Sequence, residues 1–402
     1  MESVSKPPRA LWTVLGAGLV LRLGIAAVSL GSDDIHIWER FAFIVDTGGL
    51  LGRYGEIKAY GFPMNHPPGA VGLAVLMRDL AYWSGLPFAF VFKLPIITAD
   101  LAIALLLGRL AFRDHGRRAS LVVASAYTFS PVAILISAYH GNTDCLSVSL
   151  AFASAVLLTR GRVGASGFAL GAALNIKLIP ILILPVLFLQ CRNFASMGRF
   201  ALGFGCALLP FLPFVAAQPM AFYSATLGYD SEPNPWGLNA ILLGAHSIPD
   251  VRAWVAPAIQ SYRAYGTELM LFLVGLLALT GRIRWRWTPI ELSGACMGLF
   301  LAVAPGFGVQ YLIYVLPFMV LGQSRASFGY SILAGAFALI VYSNYWTGTY
   351  PLDSRFDAGF PLEAQLVGVM AWVALLAWLW HLARRKTSTA PSFAPKQMPY
   401  AD

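Results

Sequence analysis

A succession of long apolar runs constrains the fold of this chain more than any motif does. The first run, Leu11–Leu30, is 20 residues long, which is the length that a helix needs to cross a bilayer. Comparable segments recur along the rest of the sequence: Phe90–Phe112, Ala119–Tyr139, Leu146–Thr159, Val163–Leu174, Ile179–Leu189, Phe200–Ala217, Leu269–Thr280, Pro289–Ala304, Tyr311–Leu321, Phe328–Tyr345 and Leu362–Leu382. The pattern predicts an all-α polytopic membrane protein with roughly 12 transmembrane helices.

Composition excludes the main alternative, a soluble globular domain. Hydrophobic residues make up 58% of the chain and charged residues 12%, and the mean hydropathy is +0.67, outside the usual soluble range. The four cysteines are scattered without C-x-x-C spacing, so neither a metal site nor a disulfide framework is indicated.

The net charge of +9 indicates orientation rather than nucleic-acid binding, because the arginines cluster between the apolar runs. Alternating the spans places these clusters and both termini in the cytoplasm, and it leaves most carboxylates outside. We therefore predict a multi-pass protein of the cytoplasmic (inner) membrane whose site faces the external or periplasmic side. The clusters are Arg113, Arg117 and Arg118; Arg160 and Arg162; Arg192 and Arg199; Arg282, Arg284 and Arg286; and Arg384, Arg385 and Lys386.

Domain organisation follows from the same pattern. Residues 1–386 are predicted to form one transmembrane domain, with external regions at 31–88 and 218–267. The Pro- and Ser-rich residues 387–402 are predicted to form a disordered cytoplasmic tail. The first span is longer than the apolar core of a usual signal peptide, so we expect a retained anchor.

Two adjacent carboxylates, Asp33 and Asp34, follow the first span directly. The next residues, Ile35–Val45, repeat apolar side chains at helical spacing and predict an amphipathic helix at the membrane surface. One of the two acids could simply cap that helix. An acid held at this position could instead act as a general base.

Four further motifs follow the acids in a fixed order. They are Asn65-His66-Pro67-Pro68, Ala99-Asp100-Leu101, the string His140–Leu150, and Ala173-Leu174-Asn175-Ile176-Lys177. With the acid they resemble the GT-C superfamily of polyprenyl-phosphate-sugar-dependent glycosyltransferases over about residues 11–189. The order is similar to that in ER glucosyltransferases that extend dolichol-linked oligosaccharide and in bacterial polyprenyl-phosphomannose-dependent mannosyltransferases.

The resemblance implies a GT-C-like bundle and inverting transfer of a monosaccharide, mannose or glucose, from a polyprenyl-phosphate donor to a hydroxyl. The acceptor would be a lipid-linked glycan, a glycolipid or a protein on the outer face of the membrane. A carboxylate of the first external loop would be the base, and we favour Asp34 over Asp33. Deprotonation by one positioned carboxylate typically contributes 10²- to 10⁴-fold to the rate.

Polar residues predicted on the external side would complete the site. Lys177 and Arg355 are candidates for binding the donor phosphate, although Lys177 could merely snorkel at a helix end. Asp100 falls inside a span and must face the bundle interior with a partner. A structural turn is the alternative role for His66, helix capping for Asn142 and Asp144, and an ordinary interfacial aromatic for Tyr229 and Trp236. The cluster His140, Asn142 and Asp144 could bind sugar hydroxyls or orient Lys177. The candidate substrate-binding residues are His66, His140, Asn142, Asp144, Gln310, Tyr311, Tyr229 and Trp236.

No group of carboxylates at D-x-D spacing stands out, so we predict no metal and no cofactor beyond the donor substrate. The expected partners are the lipid-linked donor, the acceptor and the membrane, without nucleic acid. A secondary transporter is the competing class, and a lipid-carrier ligase or a non-catalytic partner is a third. The asymmetric halves, the missing repeat and the long first external loop argue against the transporter.

Overall fold

The computed structural model describes residues 8–32, 34–49, 65–226, 228, 232–343, 346–347, 353–354 and 360–384. Within these ranges the chain is almost entirely helical, and the strands are two short segments, β1 (Trp346–Thr347) and β2 (Asp353–Ser354), which pair antiparallel. The all-α polytopic membrane class is confirmed. The predicted tail at 387–402 lies outside the described residues.

The described part of the N-terminal third consists of four helices. Helix α1 (Arg9–Val28) is followed by α2 (Asp34–Gly48), α3 (Pro68–Ser84) and the 41-residue α4 (Phe88–Thr128). The amphipathic helix predicted at Ile35–Val45 is thereby confirmed within α2, where Ile35, Trp38 and Phe41 are buried. Helix α4 merges two predicted segments across a break at Gly116, whose φ of 80° no regular helix adopts.

The central part consists of short helices, as the sequence predicts for 146–189. Helix α5 (Pro131–Ile134) continues as a π-helix (Leu135–His140) and leads to α6 (Asp144–Thr159) and α7 (Val163–Ile176). A 3₁₀ turn (Ile179–Ile183) then joins α8 (Leu184–Leu189). These elements are shorter than a straight bilayer crossing requires, and breaks of this kind are tolerated where they line a polar site.

The next elements show where hydropathy misplaced a boundary. Helix α9 (Phe194–Ala207) is bent relative to the 3₁₀ turn Leu209–Phe211 and α10 (Leu212–Ala217), and the pair meets at 42°. The region 218–267 is largely helical, with α11 (Pro219–Thr226), α12 (Gly237–His246) and the beginning of α13 (Pro249–Ile283). The apolar segment predicted at Leu269–Thr280 is thus only the second half of α13. Hydropathy missed the first half of this helix, because that half contains more polar residues.

The C-terminal part matches the predicted segments closely. It contains α14 (Pro289–Val303), a 3₁₀ turn (Val309–Ile313) with α15 (Leu316–Leu321), then α16 (Arg325–Ser343) and α17 (Leu362–Arg384). Among the described helices, five are long and apolar enough to cross a membrane, or six if the bent pair forms one span, and several shorter apolar helices accompany them. The figure of roughly 12 crossings stays a prediction.

A buried ion pair lies in the bundle between α1 and α4. Asp100 Oδ2 accepts a hydrogen bond from Arg22 Nε at 2.8 Å, Arg22 Nη2 lies 2.7 Å from the same oxygen, and both side chains are fully buried. The Tyr127 hydroxyl and the Ser137 hydroxyl also donate to Asp100, at 2.8 and 3.0 Å. The prediction that Asp100 faces the interior and finds a partner is confirmed, and a buried charge would be costly without these bonds.

Candidate functional site

Asp34 begins α2, and its two carboxylate oxygens have different surroundings. Oδ2 accepts a hydrogen bond from His140 Nε2 at 2.8 Å and another from Asn142 Nδ2 at 2.6 Å. No described residue donates to Oδ1, and 35% of the side chain is exposed. The carboxylate is therefore held through one oxygen, and the other oxygen has no donor among the described residues.

The second ring nitrogen of His140 is also hydrogen-bonded. Its Nδ1 forms a hydrogen bond with the hydroxyl of Tyr342 from the last turn of α16. In the neutral imidazole, donation from Nε2 to Asp34 leaves Nδ1 as the acceptor of the Tyr342 proton. The result is a chain of hydrogen bonds from a phenol through an imidazole to the carboxylate.

The surroundings of Asp34 keep it ionised. Burial alone would raise the pKa of its carboxyl, but the hydrogen bond and electrostatic attraction of His140, together with the charge of Lys177, outweigh burial and hold that pKa well below its usual range. Burial and Lys177 lower the pKa of His66 to about 3, against the opposing effect of Asp34. At neutral pH the site therefore combines a carboxylate with an uncharged His66.

A second charged group lies at the end of α7. Lys177 Nζ is 2.8 Å from Asp144 Oδ2, with 13% of the lysine side chain exposed and the aspartate fully buried. The ammonium also lies 5.5 Å from the centroid of the Tyr311 ring. Burial lowers the pKa of Lys177, but Asp144 and Tyr311 more than compensate and raise it, so the lysine is a fixed cation.

Close backbone contacts bring these elements together. A Cβ atom on Gly69, in the first turn of α3, would lie 2.7 Å from the backbone oxygen of Asn175. His66 precedes that turn, and its ring packs against Trp38 with centroids 4.4 Å apart. The Pro-Pro element therefore joins α2 to the turn that carries Lys177, and four of the five motifs meet in one place.

The remaining predicted site residues do not all lie near Asp34 and Lys177. Trp236 is 3% exposed, stacks on Phe307 at 4.8 Å and donates its indole N–H to the Leu301 oxygen. The expectation that Trp236 stacks on a sugar does not fit, because both its ring and its donor are already used inside the bundle. Gln310 lies against Gly308, whereas Tyr311 is beside Lys177. Three predicted site residues lie outside the described residues: Asp33, Tyr229 and Arg355.

A family model supplies the decisive comparison. The model for glycosyltransferase family 87 matches residues 66–288, a little over half of the chain. The chain belongs to glycosyltransferase family 87. Family 87 enzymes are membrane glycosyltransferases of the GT-C type, so the predicted superfamily is confirmed, and the transporter interpretation has no support. No curated protein gives a significant match.

In this family 87 glycosyltransferase the match includes His66, Asp144 and Lys177 but begins after Asp34. Family membership therefore makes the chain a transferase without assigning the base. Among the described residues, no group of three or more His, Cys, Asp or Glu side chains is placed to hold a metal ion. Independence from metal stays a prediction.

Two residues at or beside the candidate site were not predicted from sequence. Tyr342 gave no signal, because a tyrosine near the end of a membrane span is common without any ligand. Lys93 did carry a signal that was missed. It falls inside the predicted span Phe90–Phe112, where an ionisable side chain is expected to have a function or a partner.

Proposed function

We propose that this family 87 enzyme transfers a monosaccharide from a polyprenyl-phosphate donor to a hydroxyl, with Asp34 as general base. The observation that carries the proposal is the asymmetry of the Asp34 carboxylate. Oδ2 accepts from His140 and Asn142, no described residue donates to Oδ1, and the side chain is 35% exposed within the electrostatic reach of the Lys177 cation. A base needs both a fixed orientation and an accessible oxygen.

In the proposed reaction Asp34 and Lys177 act on different groups, Asp34 on the acceptor hydroxyl and Lys177 on the donor phosphate. The acceptor hydroxyl gives its proton to Oδ1 of Asp34 while its oxygen attacks the anomeric carbon of the sugar. The bond between that carbon and the phosphate oxygen breaks, the configuration inverts, and polyprenyl phosphate leaves with the electron pair. Lys177 would stabilise the phosphate charge, because a fixed cation in a partly dry site interacts more strongly than one in water.

We further propose mannose or glucose as the sugar and a lipid-linked glycan, a glycolipid or a protein as the acceptor. Transfer would occur on the outer face of the cytoplasmic membrane, without a metal or an added cofactor. The ends of α1 and α16 support a site at one end of the bundle. Asp34 follows the end of α1, and Tyr342 lies in the last turn of α16. Arg9 and Arg325 are the first residues of these two helices, at their opposite ends. His66, Asn142 and Tyr311 would contribute to substrate binding around this centre.

The test is sugar transfer by the purified protein in nanodiscs, with radiolabelled polyprenyl-phosphate monosaccharides and a total lipid extract. We expect Asp34→Asn to lower kcat by about 10²- to 10⁴-fold, the usual contribution of a general base. Asp46→Asn is the matched control, because Asp46 is on the same helix and forms an ion pair with Arg78 at the surface. Native protein that releases sugar from no donor would contradict the proposal.

Asp33→Asn separates the two candidate bases. If the base is Asp34, Asp33→Asn should retain most activity. Loss of activity in Asp33→Asn with retention in Asp34→Asn would assign the base to Asp33 instead. Lys177→Gln should both raise the donor KM and lower kcat, because the phosphate is charged in the donor and gains charge as it leaves.

A further inference from the structure

Lys93 is a fully buried lysine in the first turns of α4 that the proposed reaction does not use. Its ammonium donates to the Ser29 backbone oxygen at 2.8 Å and contacts the Ser29 hydroxyl at 3.2 Å. Within the described part of the chain it forms no ion pair with a carboxylate. Burying an ammonium with so few partners is energetically unfavourable, and such residues usually have a functional reason.

The contact with Ser29 fixes the turn that leads to Asp34. Ser29 immediately follows the last residue of α1, so its carbonyl is one of the unsatisfied groups at a helix end. Gly31 comes two residues later with a φ of +109°, and α2 begins at Asp34. A Cβ atom on Gly31 would lie 2.7 Å from the Tyr139 backbone oxygen, so this turn packs directly on the π-helix that carries His140.

The stem of Lys93 contacts the other side of the same arrangement. Gly141 lies between His140 and Asn142, which both donate to Asp34. A Cβ atom there would lie 3.0 Å from Lys93 Cγ and 3.1 Å from its Cε. Lys93 thus bonds to the turn before Asp34 and packs on the segment that carries both donors.

We propose that Lys93 is a positioning residue that keeps the Asp34 carboxylate within hydrogen-bond distance of His140 and Asn142. It does not touch substrate in this role. Its ammonium fixes the end of α1, its methylenes support Gly141, and the relative position of the two segments determines which oxygen of Asp34 is open. The inference rests on the proposed role of Asp34 as base.

Two substitutions at position 93 test this. Lys93→Met keeps a stem of similar length and removes the ammonium, and Lys93→Gln replaces the ammonium with a neutral donor on a shorter stem. For each we expect kcat to fall about tenfold while the donor KM stays within about twofold, because Lys177 and Asp144 are unchanged. Amide hydrogen exchange should increase in residues 29–36 and 139–143.

Ser166→Ala is the matched control for loss of a buried hydrogen bond. Ser166 pairs with Ser154 near the start of α7, away from the site. It should leave both kinetics and exchange in residues 29–36 unchanged. If Lys93→Met does not fold, Lys93→Gln gives the same comparison, with a neutral donor left beside Ser29.

The possible outcomes separate this inference from the proposed function. Unchanged kcat and unchanged exchange in a folded Lys93→Met protein would overturn the inference alone. Native protein without sugar transfer would overturn the proposed function, and the exchange data would still report whether Lys93 holds the two segments together. A rise in donor KM with unchanged kcat would place Lys93 with the phosphate subsite and would also contradict the inference.

Discussion

At the scale of single residues, the notable feature is how Asp34 stays ionised although it is partly buried. Burial favours the neutral acid, and the hydrogen bond from His140 and the charge of Lys177 reverse that preference. A lowered pKa means that the base form persists as the pH falls and is lost only below the usual carboxyl range near 4. His140 contributes most to this lowering.

We therefore predict that kcat/KM of the native enzyme shows no acidic limb from Asp34 down to about pH 4. His140→Gln removes the imidazole that lowers the pKa of Asp34, so burial raises that pKa. As the pH falls, activity should therefore begin to decline at a higher pH than in the native enzyme. The pH dependence of radiolabelled sugar transfer measures this, with Asp46→Asn as the unshifted control. An identical acidic limb in native and His140→Gln proteins would show that His140 does not set this pKa.

At the scale of elements, the site depends on how closely α3 approaches the turn after α7. Gly69 allows the first turn of α3 to touch the backbone at Asn175, two residues before Lys177. Any side chain at position 69 must push these two elements apart, and overpacking of this kind typically costs about 1–3 kcal/mol.

Gly69→Ala should therefore displace Lys177 and raise the donor KM about tenfold. Gly72→Ala is a close control, because a Cβ atom on Gly72, one turn further along α3, meets nothing within 4 Å. It should leave KM unchanged, since alanine is tolerated in a helix at least as well as glycine. Equal donor KM values for the two variants would show that the Gly69 contact does not position Lys177.

At the scale of the whole molecule, the ion pair of Arg22 and Asp100 joins α1 to α4 below the site. Arg22 also donates to the backbone oxygens of Gly18 and Thr128. Removing one partner of a buried pair leaves the other charge uncompensated and typically costs about 3–5 kcal/mol, whereas replacing both with apolar residues is much milder.

Asp100→Leu and Arg22→Met should each strongly lower the unfolding midpoint in detergent, and the double variant should recover much of the loss. Denaturant unfolding followed by circular dichroism measures all four proteins of the cycle. Additive losses in the double variant would mean that the two charges do not stabilise the bundle as a pair.

Sequence alone determined what depends on local patterns. The apolar runs identified the membrane class and most helices, because a helix needs a continuous apolar segment to cross lipid. The spacing of Ile37, Phe41 and Ile44 predicted α2, and the cost of an intramembrane charge predicted a partner for Asp100. The order of the motifs led to the GT-C superfamily.

Only the tertiary structure decided which side chains meet. It paired Asp100 with Arg22 and His140 with Tyr342, and it placed Trp236 inside the bundle rather than at a sugar site. Such pairs join residues that are far apart in the chain, and their geometry depends on helix packing that no local pattern encodes. Hydropathy follows from each segment by itself, whereas the hydrogen bonds that orient Asp34 exist only after several elements have packed together.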